Sequence, residues 1–369
     1  MSTRATNPAL SLDGCRKRQE RLRTRLADEK LDAALMMDPR HIHYLSGYWR
    51  SGRVLMPAAL LVHVDGRTIL VTPSPCAEET AADRMYNYEA DRIGTLIDHP
   101  YTELHQMLRP HLKGVRALGV DAVQLPGSPD KEEPRRISGI LLALRRTKDP
   151  DEVALLEVGI RGCDAAYARA RELLQAEITE VELYAEMLAA ATKALGEPLT
   201  EFGNDFQCGA PGGPPRNRTV VQGETAILDL GVVYRGYSSD LCRTFVVGGR
   251  PSDAQALAHQ RILQELEYIE AAVRPGESCR KIYDEVHGRL DGFRGWTFPH
   301  HLGHGIGLSA HEAPRLNPHW DNTFEVGDVF TAEPGLYGDD LRAGIRIEHD
   351  YLVTATGVKR LSHFPTDLI

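Results

Sequence analysis

The sequence predicts two domains, a smaller α/β domain over residues 1–148 and an α+β domain over residues 149–369. Strand-like and helix-like segments alternate in the first part, as is typical of an α/β domain. The second part instead groups its helices before and between long hairpin-like runs, as in an α+β domain with a mostly antiparallel sheet. A chain of 369 residues is also long enough for two domains that each bury a core.

The first domain contains five clear segments. A charged amphipathic helix, CRKRQERLRTRLADE (15–29), precedes a buried strand, LDAALMM (31–37). The segment ALLVHVDGRTILVTP (59–73) predicts a hairpin, because Asp-Gly between two apolar runs is a strong turn signal. Further along, YTELHQMLRPHL (101–112) predicts a helix and VRALGVD (115–121) predicts a strand.

The second domain begins after RRTKDPDE, where charge and a proline interrupt the apolar pattern. Two helical patterns follow at 152–175 and 179–195, and the second opens with Thr179-x-x-Glu182, a capping box that satisfies free backbone N–H groups. Two more helices start at Ser252 and near Ser278. Strand-like stretches lie between and after these helices, at 224–248, 328–337 and 343–354.

Composition and charge exclude several classes of protein. A net charge of −9, from 43 basic and 52 acidic residues, argues against nucleic acid or an anionic membrane as a partner, since both need a basic surface. The apolar runs are too short to span a membrane, and the N-terminus lacks the apolar core of a signal peptide. Six cysteines are scattered without a CxxC pair, as expected for reduced thiols. The sequence therefore predicts a cytoplasmic protein.

Two aspartates flank a predicted hairpin turn in ILDLGVVYRGYSSDLC. A turn at 234–235 pairs Asp229 directly with Asp240. A turn at 235–236 pairs Asp229 with Cys242 and leaves the second aspartate on the diagonal. Both registers place the two carboxylates on one face of the hairpin, because side chains alternate between faces with a period of two. Facing like charges are destabilising unless a cation lies between them, and a divalent metal ion is the simplest candidate.

A second acidic pair and a histidine extend this pattern. Glu333 in FTAEPGLY and Glu348 in GIRIEHDY flank GDDLRAG, and a hairpin closing at 340–341 pairs them. A single such carboxylate is more often a solvent-facing strand residue, but four of them in two hairpin pairs indicate a site. With His304 they form a mostly oxygen ligand set, which suits Mn²⁺, Co²⁺, Fe²⁺ or Zn²⁺. Four negative charges would neutralise two divalent ions.

These motifs make the chain resemble the pita-bread metallopeptidase family, which includes Xaa-Pro dipeptidases (prolidases), aminopeptidase P, methionine aminopeptidases and the metal-free relative creatinase. The resemblance rests on LDLGVVYRGYSSDLCRTF, GHGIGL, TAEPGLY and IRIEHD, within roughly residues 151–360. The earlier segment LDAALMMDPRHIHYLSGYW resembles the extra domain of creatinase and prolidase. The resemblance implies a pita-bread catalytic domain preceded by a smaller α/β creatinase-like N-terminal domain.

The resemblance also implies a metal centre. Its ligands would be Asp229, Asp240, His304, Glu333 and Glu348. Two divalent metal ions would activate a water molecule there, with Mn²⁺ as the first candidate and Co²⁺, Zn²⁺ or Fe²⁺ as alternatives. Glu333 would serve in addition as the general base.

Further catalytic and substrate-binding residues follow from the resemblance alone. His311, seven residues beyond the metal histidine, matches a catalytic histidine that hydrogen-bonds the substrate and the intermediate. His300 matches another active-site histidine of the proline-specific members. Arg346 and Tyr337 match positions of aminopeptidase P, the first as a catalytic residue and the second in contact with substrate. Around these histidines, the glycines of GHGIGLSAHEAP are expected to let the backbone pack close to the metal centre.

The chain departs from the proline-specific members at one position. They usually carry a histidine about seventeen residues before the first aspartate ligand, whereas this chain has Gly212 there and no histidine between residues 201 and 229. One interpretation is a harmless variation of the loop. The other is altered substrate binding, in which Arg216 recognises an anionic group of the substrate.

These observations predict a metal-dependent hydrolase that cleaves Xaa-Pro peptides as a dipeptidase or an aminopeptidase and forms a homodimer. The alternative is a hydrolase or lyase of the same fold that acts on a small molecule, as creatinase, ectoine hydrolase and an enzyme that cleaves dimethylsulfoniopropionate do. The complete ligand set argues against a metal-free mechanism of the creatinase type. It also argues against a third interpretation, a binding module without catalytic activity.

Overall fold

The computed structural model describes residues 7–50, 56–75, 79–121, 133–175 and 177–369. The chain divides into two compact units, residues 9–145 and residues 146–369 with residues 7–8. The domain boundary between residues 148 and 149 stays a prediction. Cys76, one of the six cysteines, lies outside the described residues. Within the described ranges, no helix combines the length and apolar character needed to cross a membrane.

The first unit combines a mixed sheet with short and long helices. Its helices are α1 (Leu12–Asp28), α2 (Pro39–Ser46), α3 (Pro100–Leu108) and α4 (Ser138–Arg146). Its strands are β1 (Ala33–Met36), β2 (Ala59–His63), β3 (Thr68–Thr72), β4 (Arg84–Asn87), β5 (Asp91–Arg92), β6 (Thr95–Leu96), β7 (Leu118–Val120) and β8 (Arg135–Arg136). The main sheet has the order β4-β3-β2-β1-β7-β8, and β5 pairs with β6.

Strand pairing in this unit confirms the α/β prediction. β1 runs parallel to β7 and antiparallel to β2, while β2 and β3 form the hairpin predicted around Asp-Gly. Sequence analysis missed α2, although ordinary signals mark both its ends. The side chain of Asp38 caps its first turn, and Gly47 ends it with a φ of 75°. The helix spans only 8 residues, so its apolar positions are too few to reveal a helical period.

The second unit has longer helices and more strands. Its helices are α5 (Pro150–Leu173), α6 (Glu180–Leu195), α7 (Asp253–Ala272) and α8 (Cys279–Leu290). Its first strands are β9 (Thr225–Leu230), β10 (Val233–Tyr234), β11 (Tyr237–Ser238), β12 (Leu241–Val246), β13 (Gly303–Gly305) and β14 (Glu312–Asn317). The remaining strands are β15 (Trp320–Asp321), β16 (Val329–Ala332), β17 (Gly335–Gly338), β18 (Ala343–Arg346), β19 (His349–Thr354) and β20 (Gly357–Arg360).

The sheets of the second unit confirm the α+β prediction. Its largest sheet has the order β15-β14-β13-β16-β19-β20, and the pairs β9-β12, β10-β11 and β17-β18 form separate ladders. All of these strand pairs, within the described residues, are antiparallel. Sequence analysis missed β13 and β14, because the glycines of GHGIGLSAHEAP hide the alternation that marks a strand.

Helix caps and one glycine position the helices against these strands. The capping box of Thr179 and Glu182 is present at the start of α6, as predicted. In α5, Gly159 faces the hairpin that carries Asp240. A Cβ atom at this glycine would lie 2.8 Å from Ser239 Oγ, so only a residue without a side chain lets the helix pack this closely.

Candidate metal centre

The first hairpin adopts the second of the two predicted registers. Asp229 lies opposite Cys242, and the turn is formed by Arg235 and Gly236. Both turn residues have a positive φ, 47° and 81°, as a type I′ turn requires. Asp240 therefore lies on the diagonal, in the gap between β11 and β12, and its carboxylate still approaches that of Asp229.

The second acidic pair lies in the predicted register. The β16–β19 ladder on one side of the glutamates and the β17–β18 ladder on the other share a single register, which places Glu333 opposite Glu348. The backbone N–H of Glu333 donates to the carbonyl of Leu302 at 2.9 Å, and that of Glu348 donates to the carbonyl of Cys242 at 3.0 Å. These bonds connect Glu333 to the residue before β13, which carries His304, and Glu348 to β12, which begins directly after Asp240.

The five predicted ligands line one cavity. Two groups of three residues share Glu348. The first adds His304 and Glu333, and the second adds Asp229 and Asp240. Within each group, one ligand atom from each residue lies within 4.8 Å of the others. The Nε2 atom of His304 is 3.7 Å from an oxygen of Asp240 and 3.7 Å from an oxygen of Glu333. Two adjacent donor sets joined by one carboxylate match what a pair of divalent ions needs.

Burial makes this cluster of acids unfavourable without a cation. Burial first, and repulsion from Asp229 and Glu333 next, hold the pKa of Asp240 well above its usual range. Burial and the neighbouring Asp229 raise the pKa of Glu333 to about 8. The Oε2 atom of Glu348 is buried without a hydrogen-bond partner among the described residues. A divalent ion would satisfy this orphaned oxygen and offset the repulsion, so the residues present fit a metal centre.

The hydrogen bonding of His304 prepares it as a metal ligand. Its Nδ1–H donates to the carbonyl of Gly305 at 3.1 Å, which leaves the lone pair of Nε2 facing the acids. Burial, and then the nearby His311 and His301, hold the pKa of His304 well below its usual value, so the ring is neutral as a ligand must be. The ring of His311 stacks on it with centroids 3.6 Å apart.

Three other predicted residues form one hydrogen-bonded chain. Arg346 donates to the hydroxyl of Tyr337 at 3.1 Å, and this hydroxyl donates to Nε2 of His300 at 2.8 Å. The direction follows because Nδ1–H of His300 donates to the carbonyl of His301 at 2.8 Å. Arg346 also donates to Asp229 at 2.8 Å, so the chain ends at a predicted ligand. Tyr337 itself is not among the described residues that line the cavity.

Arg216 is also absent from the described lining of the cavity. Its guanidinium binds both oxygens of Glu180, at 2.9 Å and 2.7 Å, and its backbone N–H donates to the same carboxylate. Glu180 is fully buried and accepts the N–H of Cys208 as well. Burial alone would raise the pKa of Glu180, but these bonds hold it below its usual value. This structure therefore places Arg216 against the start of α6, outside the described lining of the cavity, and its predicted contact with substrate stays a prediction.

Two of the lining residues that sequence analysis missed contact predicted site residues. His301 approaches Glu333 at 3.3 Å, closer than the predicted His300 at 3.9 Å. Its signal was the second histidine of FPHHLGHG, directly beside the predicted one. Asp205 forms an ion pair with Arg346 and accepts the backbone N–H of Gly213 at 2.7 Å. No motif surrounds Asp205, so no pattern in the sequence could have identified it.

The glycines beside His304 let β13 pack closely against the neighbouring strands β14 and β16. A Cβ atom on Gly303 would lie 2.0 Å from the carbonyl oxygen of Thr331. A Cβ atom on Gly305 would lie 2.1 Å from the carbonyl oxygen of Ala313. Both distances are far inside van der Waals contact, so β13 fits between its neighbours only without side chains at these positions.

Gly303→Ala is therefore expected to lower the free energy of unfolding by about 3 kcal/mol, because the backbone of β13 must move away from β16. The comparison is made by urea denaturation of the metal-free protein. Gly288→Ala is the control, since it lies on the exposed face of α8 with no atom within 4 Å of the added methyl group. It is expected to stabilise the protein by about 0.5–1 kcal/mol. Equal stabilities for the two variants would contradict the close packing.

Comparison with known proteins relates both units to described families. A family model named Metallopeptidase family M24 matches residues 154–355, which is more than half of the chain. A model named Creatinase/Prolidase N-terminal domain matches residues 18–129. An uncharacterized peptidase of Staphylococcus aureus strain USA300 is 29% identical over 358 residues, which is 92% of this chain and 97% of the relative.

Solved structures share the architecture. The prolidase from Pyrococcus horikoshii OT3 superposes with a TM-score of 0.78 at 22% identity, over 96% of this chain and 100% of that one. The X-Pro aminopeptidase from Thermotoga maritima MSB8 gives 0.77 at 22% identity, over 95% and 99%. These likenesses show the fold and confirm a pita-bread catalytic domain after a creatinase-like N-terminal domain. With the matches to the two family models, they establish that the chain belongs to metallopeptidase family M24.

Proposed function

We propose that this protein is a hydrolase that cleaves Xaa-Pro peptides with the help of two divalent metal ions. The observation that carries the proposal is the pair of donor groups that share Glu348. Asp229, Asp240, His304 and Glu333 complete the proposed ligand set. Mn²⁺ is the first candidate, and Co²⁺, Zn²⁺ and Fe²⁺ are alternatives, because a set of carboxylates and one imidazole accepts all of them.

The residues around the cavity have different proposed roles in hydrolysis. When bound, the metal ions would polarise the scissile carbonyl group and lower the pKa of a water molecule. Glu333 is the proposed general base, since its buried carboxylate lines the cavity 3.7 Å from Nε2 of His304. His311 lines the cavity with an exposed ring, and its stacking on His304 orients it to hydrogen-bond the substrate carbonyl.

The hydrogen-bonded chain behind the ligands gives Arg346 and His300 positioning roles. The guanidinium of Arg346 fixes the carboxylate of Asp229, and the hydroxyl of Tyr337 fixes the ring of His300. His300 uses both ring nitrogens in this network, so its effect on the cavity is to hold its own ring beside Glu333, 3.9 Å away. We assign Tyr337 the same supporting role, in place of the predicted contact with substrate.

Metal analysis and a substrate panel test the proposal. The purified protein is expected to bind up to two transition-metal ions per chain. After reconstitution with Mn²⁺ or Co²⁺ it is expected to hydrolyse the Xaa-Pro bond of Xaa-Pro dipeptides or Xaa-Pro-Yaa peptides. Failure to bind metal after reconstitution would exclude the two-metal centre. The predicted homodimer and cytoplasmic location stay predictions, which light scattering and cell fractionation test.

One observation favours a second candidate, a hydrolase or lyase of a small molecule. Gly212 occupies the position at which the proline-specific relatives were expected to have a histidine, and a Cβ atom there would lie 2.6 Å from an oxygen of Asp205. The chain therefore departs from the expected pattern at a position where substrate recognition was expected. Stoichiometric metal binding combined with no hydrolysis of any Xaa-Pro peptide, and with turnover of small amidines, would favour this candidate.

A further inference from the structure

We propose that Lys148 is a positioning residue for His311, which it holds in place through a buried ion pair with Glu312. The inference rests on the proposed function, in which His311 hydrogen-bonds the substrate carbonyl. Lys148 precedes α5 and lies 164 positions before Glu312 in the chain. Sequence analysis assigned no role to either residue of the pair.

The ion pair is short and shielded from water. The Nζ atom of Lys148 donates to Oε1 of Glu312 at 2.5 Å, and the two side chains are only 1% and 5% exposed. The same ammonium group donates to the backbone carbonyl of Arg146 at 2.9 Å. A buried ion pair is costly to break, because the remaining charge stays buried without its partner. The position of Glu312 is therefore strongly restrained by Lys148.

The backbone around Lys148 is itself anchored. Its N–H donates to the carbonyl of Gly327 at 2.8 Å, and Thr147 pairs with Asp328 in an antiparallel bridge. Arg146 donates through Nε and Nη2 to the two carboxylate oxygens of Asp328, each at 2.9 Å, and this aspartate is fully buried. Asp328 directly precedes β16, so these bonds fix Lys148 relative to the sheet that contains β13 and β14.

Glu312 closes the loop that presents His311 to the cavity. It lies opposite Gly305 in the β13–β14 ladder, so residues 306–311 form the loop between the two strands. Ala310 and His311, the last two residues of this loop, are exposed and line the cavity. Glu312 follows directly and is buried, so its side chain fixes the backbone from which the ring of His311 extends.

The ion pair also packs against the first part of this loop. A Cβ atom on Gly307 would lie 2.7 Å from Oε1 of Glu312 and 2.8 Å from Cε of Lys148. The pair thus contacts the loop at its beginning and holds it at its end. Loss of the pair is therefore expected to release the loop, and with it the stacking of His311 on His304.

A positioning role and a purely electrostatic role for Lys148 predict different results. Burial first, and the positive charge of Arg315 next, lower the pKa of His311, so a cation near this ring acts on it at a distance. If Lys148 acted only in that way, removal of its charge and removal of the opposite charge of Glu312 would change kcat in opposite directions. If the pair positions the loop, both substitutions lower kcat, because each of them breaks the pair.

The test measures kcat of the Mn²⁺-loaded protein, with the best Xaa-Pro peptide of the substrate panel, in the wild-type and the His311→Ala backgrounds. Lys148→Met is expected to lower kcat at least about 10-fold in the wild type and less than about 3-fold in His311→Ala, where the positioned side chain is already gone. Metal content should stay at the wild-type level. Lys281→Met is the matched control, since it breaks an exposed pair of similar length, 2.6 Å to Glu277, and is expected to keep the wild-type kcat.

Glu312→Gln carries the same measurement if Lys148→Met does not fold, because the amide keeps the size of the side chain. It is expected to lower kcat about 3–10-fold in the wild type, and again less in His311→Ala. An increase of kcat in this variant beside a decrease in Lys148→Met would replace the positioning role by an electrostatic one.

Hydrogen exchange gives a measurement that does not depend on turnover. Amides of residues 306–311 are expected to exchange at least about 10-fold faster in Lys148→Met, or in Glu312→Gln, whereas those of β9 keep the wild-type rate. Equal losses of kcat in both backgrounds, or unchanged exchange in the loop, would overturn the inference and leave the proposed function intact. Hydrolysis of no Xaa-Pro peptide by the loaded wild type would refute the proposed function, and hydrogen exchange would still decide whether Lys148 holds the loop.

Discussion

Asp240→Ala is expected to abolish stoichiometric metal binding and to lower kcat/KM at least about 1,000-fold, which corresponds to about 4 kcal/mol of transition-state stabilisation. The expected effect of this substitution is large because Asp240 lies between the two donor groups of the proposed centre. Its carboxylate groups with Asp229 and Glu348 on one side, and it is 3.7 Å from Nε2 of His304 on the other. Removal of the Asp240 carboxylate is therefore expected to weaken both donor groups at once. The measurements are metal content by mass spectrometry and hydrolysis of an Xaa-Pro peptide.

Asp240→Asn distinguishes the loss of a metal ligand from damage to the fold. The substitution is expected to stabilise the metal-free protein and to destabilise the metal-loaded protein relative to the wild type. Without metal, the buried carboxyl faces Asp229 and Glu333, and burial and this repulsion hold its pKa well above the usual range. The amide removes the like charge, so the metal-free variant is expected to be about 1–3 kcal/mol more stable than the wild type at pH 8. With Mn²⁺ present, the wild type gains the binding free energy and becomes the more stable protein. Equal metal retention by both proteins would exclude Asp240 as a ligand.

The ligand set could be predicted from the sequence because strands give strong rules. A carboxylate in an otherwise apolar strand is conspicuous, and the period of two places it on a known face. For Glu333 and Glu348 these rules predicted the register that the structure has. For Asp229 and Asp240 they left two registers open, since either turn satisfied the pattern. The positive φ of both Arg235 and Gly236 distinguishes the observed turn, and φ is not readable from residue types alone.

The loop before β9 could not be predicted in the same way. It has neither a helical nor a strand period, and its side chains find partners far away in the chain. Asp205 pairs with Arg346 across 141 positions, and Arg216 pairs with Glu180 across 36. The sequence of such a loop looks the same whether its arginine faces substrate or pairs with a buried glutamate. Only the packing of α6 against the loop decided the partner of Arg216.

Glu333→Gln is expected to change how the stability of the metal-free protein depends on pH. Burial first, and Asp229 next, raise the pKa of Glu333 from 4.5 to about 8 in the folded protein. The folded protein therefore keeps a proton that the unfolded chain has already lost at intermediate pH. Below about pH 4.5 both states hold the proton and no penalty exists, whereas the penalty grows as the pH rises toward 8.

The expected result follows from the size of that proton difference. Between about pH 4.5 and pH 8, the free energy of unfolding of the wild type should fall relative to Glu333→Gln by up to about 1.4 kcal/mol per pH unit. Burial lowers the pKa of His300 to about 3 and that of His301 to about 4, which destabilises the fold in acid instead. Both proteins contain these histidines, so their contribution cancels in the difference.

Urea unfolding of both proteins at pH 5, 6.5 and 8, with a chelator present, measures this difference. Saturating Mn²⁺ should reverse the order at pH 8, because the charged carboxylate of the wild type then binds the metal and the amide of the variant does so poorly. The loaded variant is also expected to lose about 10²–10⁴-fold in kcat, the usual contribution of a general base. A stability difference that stays constant across pH would show that Glu333 titrates normally in the folded protein. The charge repulsion that motivates a metal at this site would then be absent.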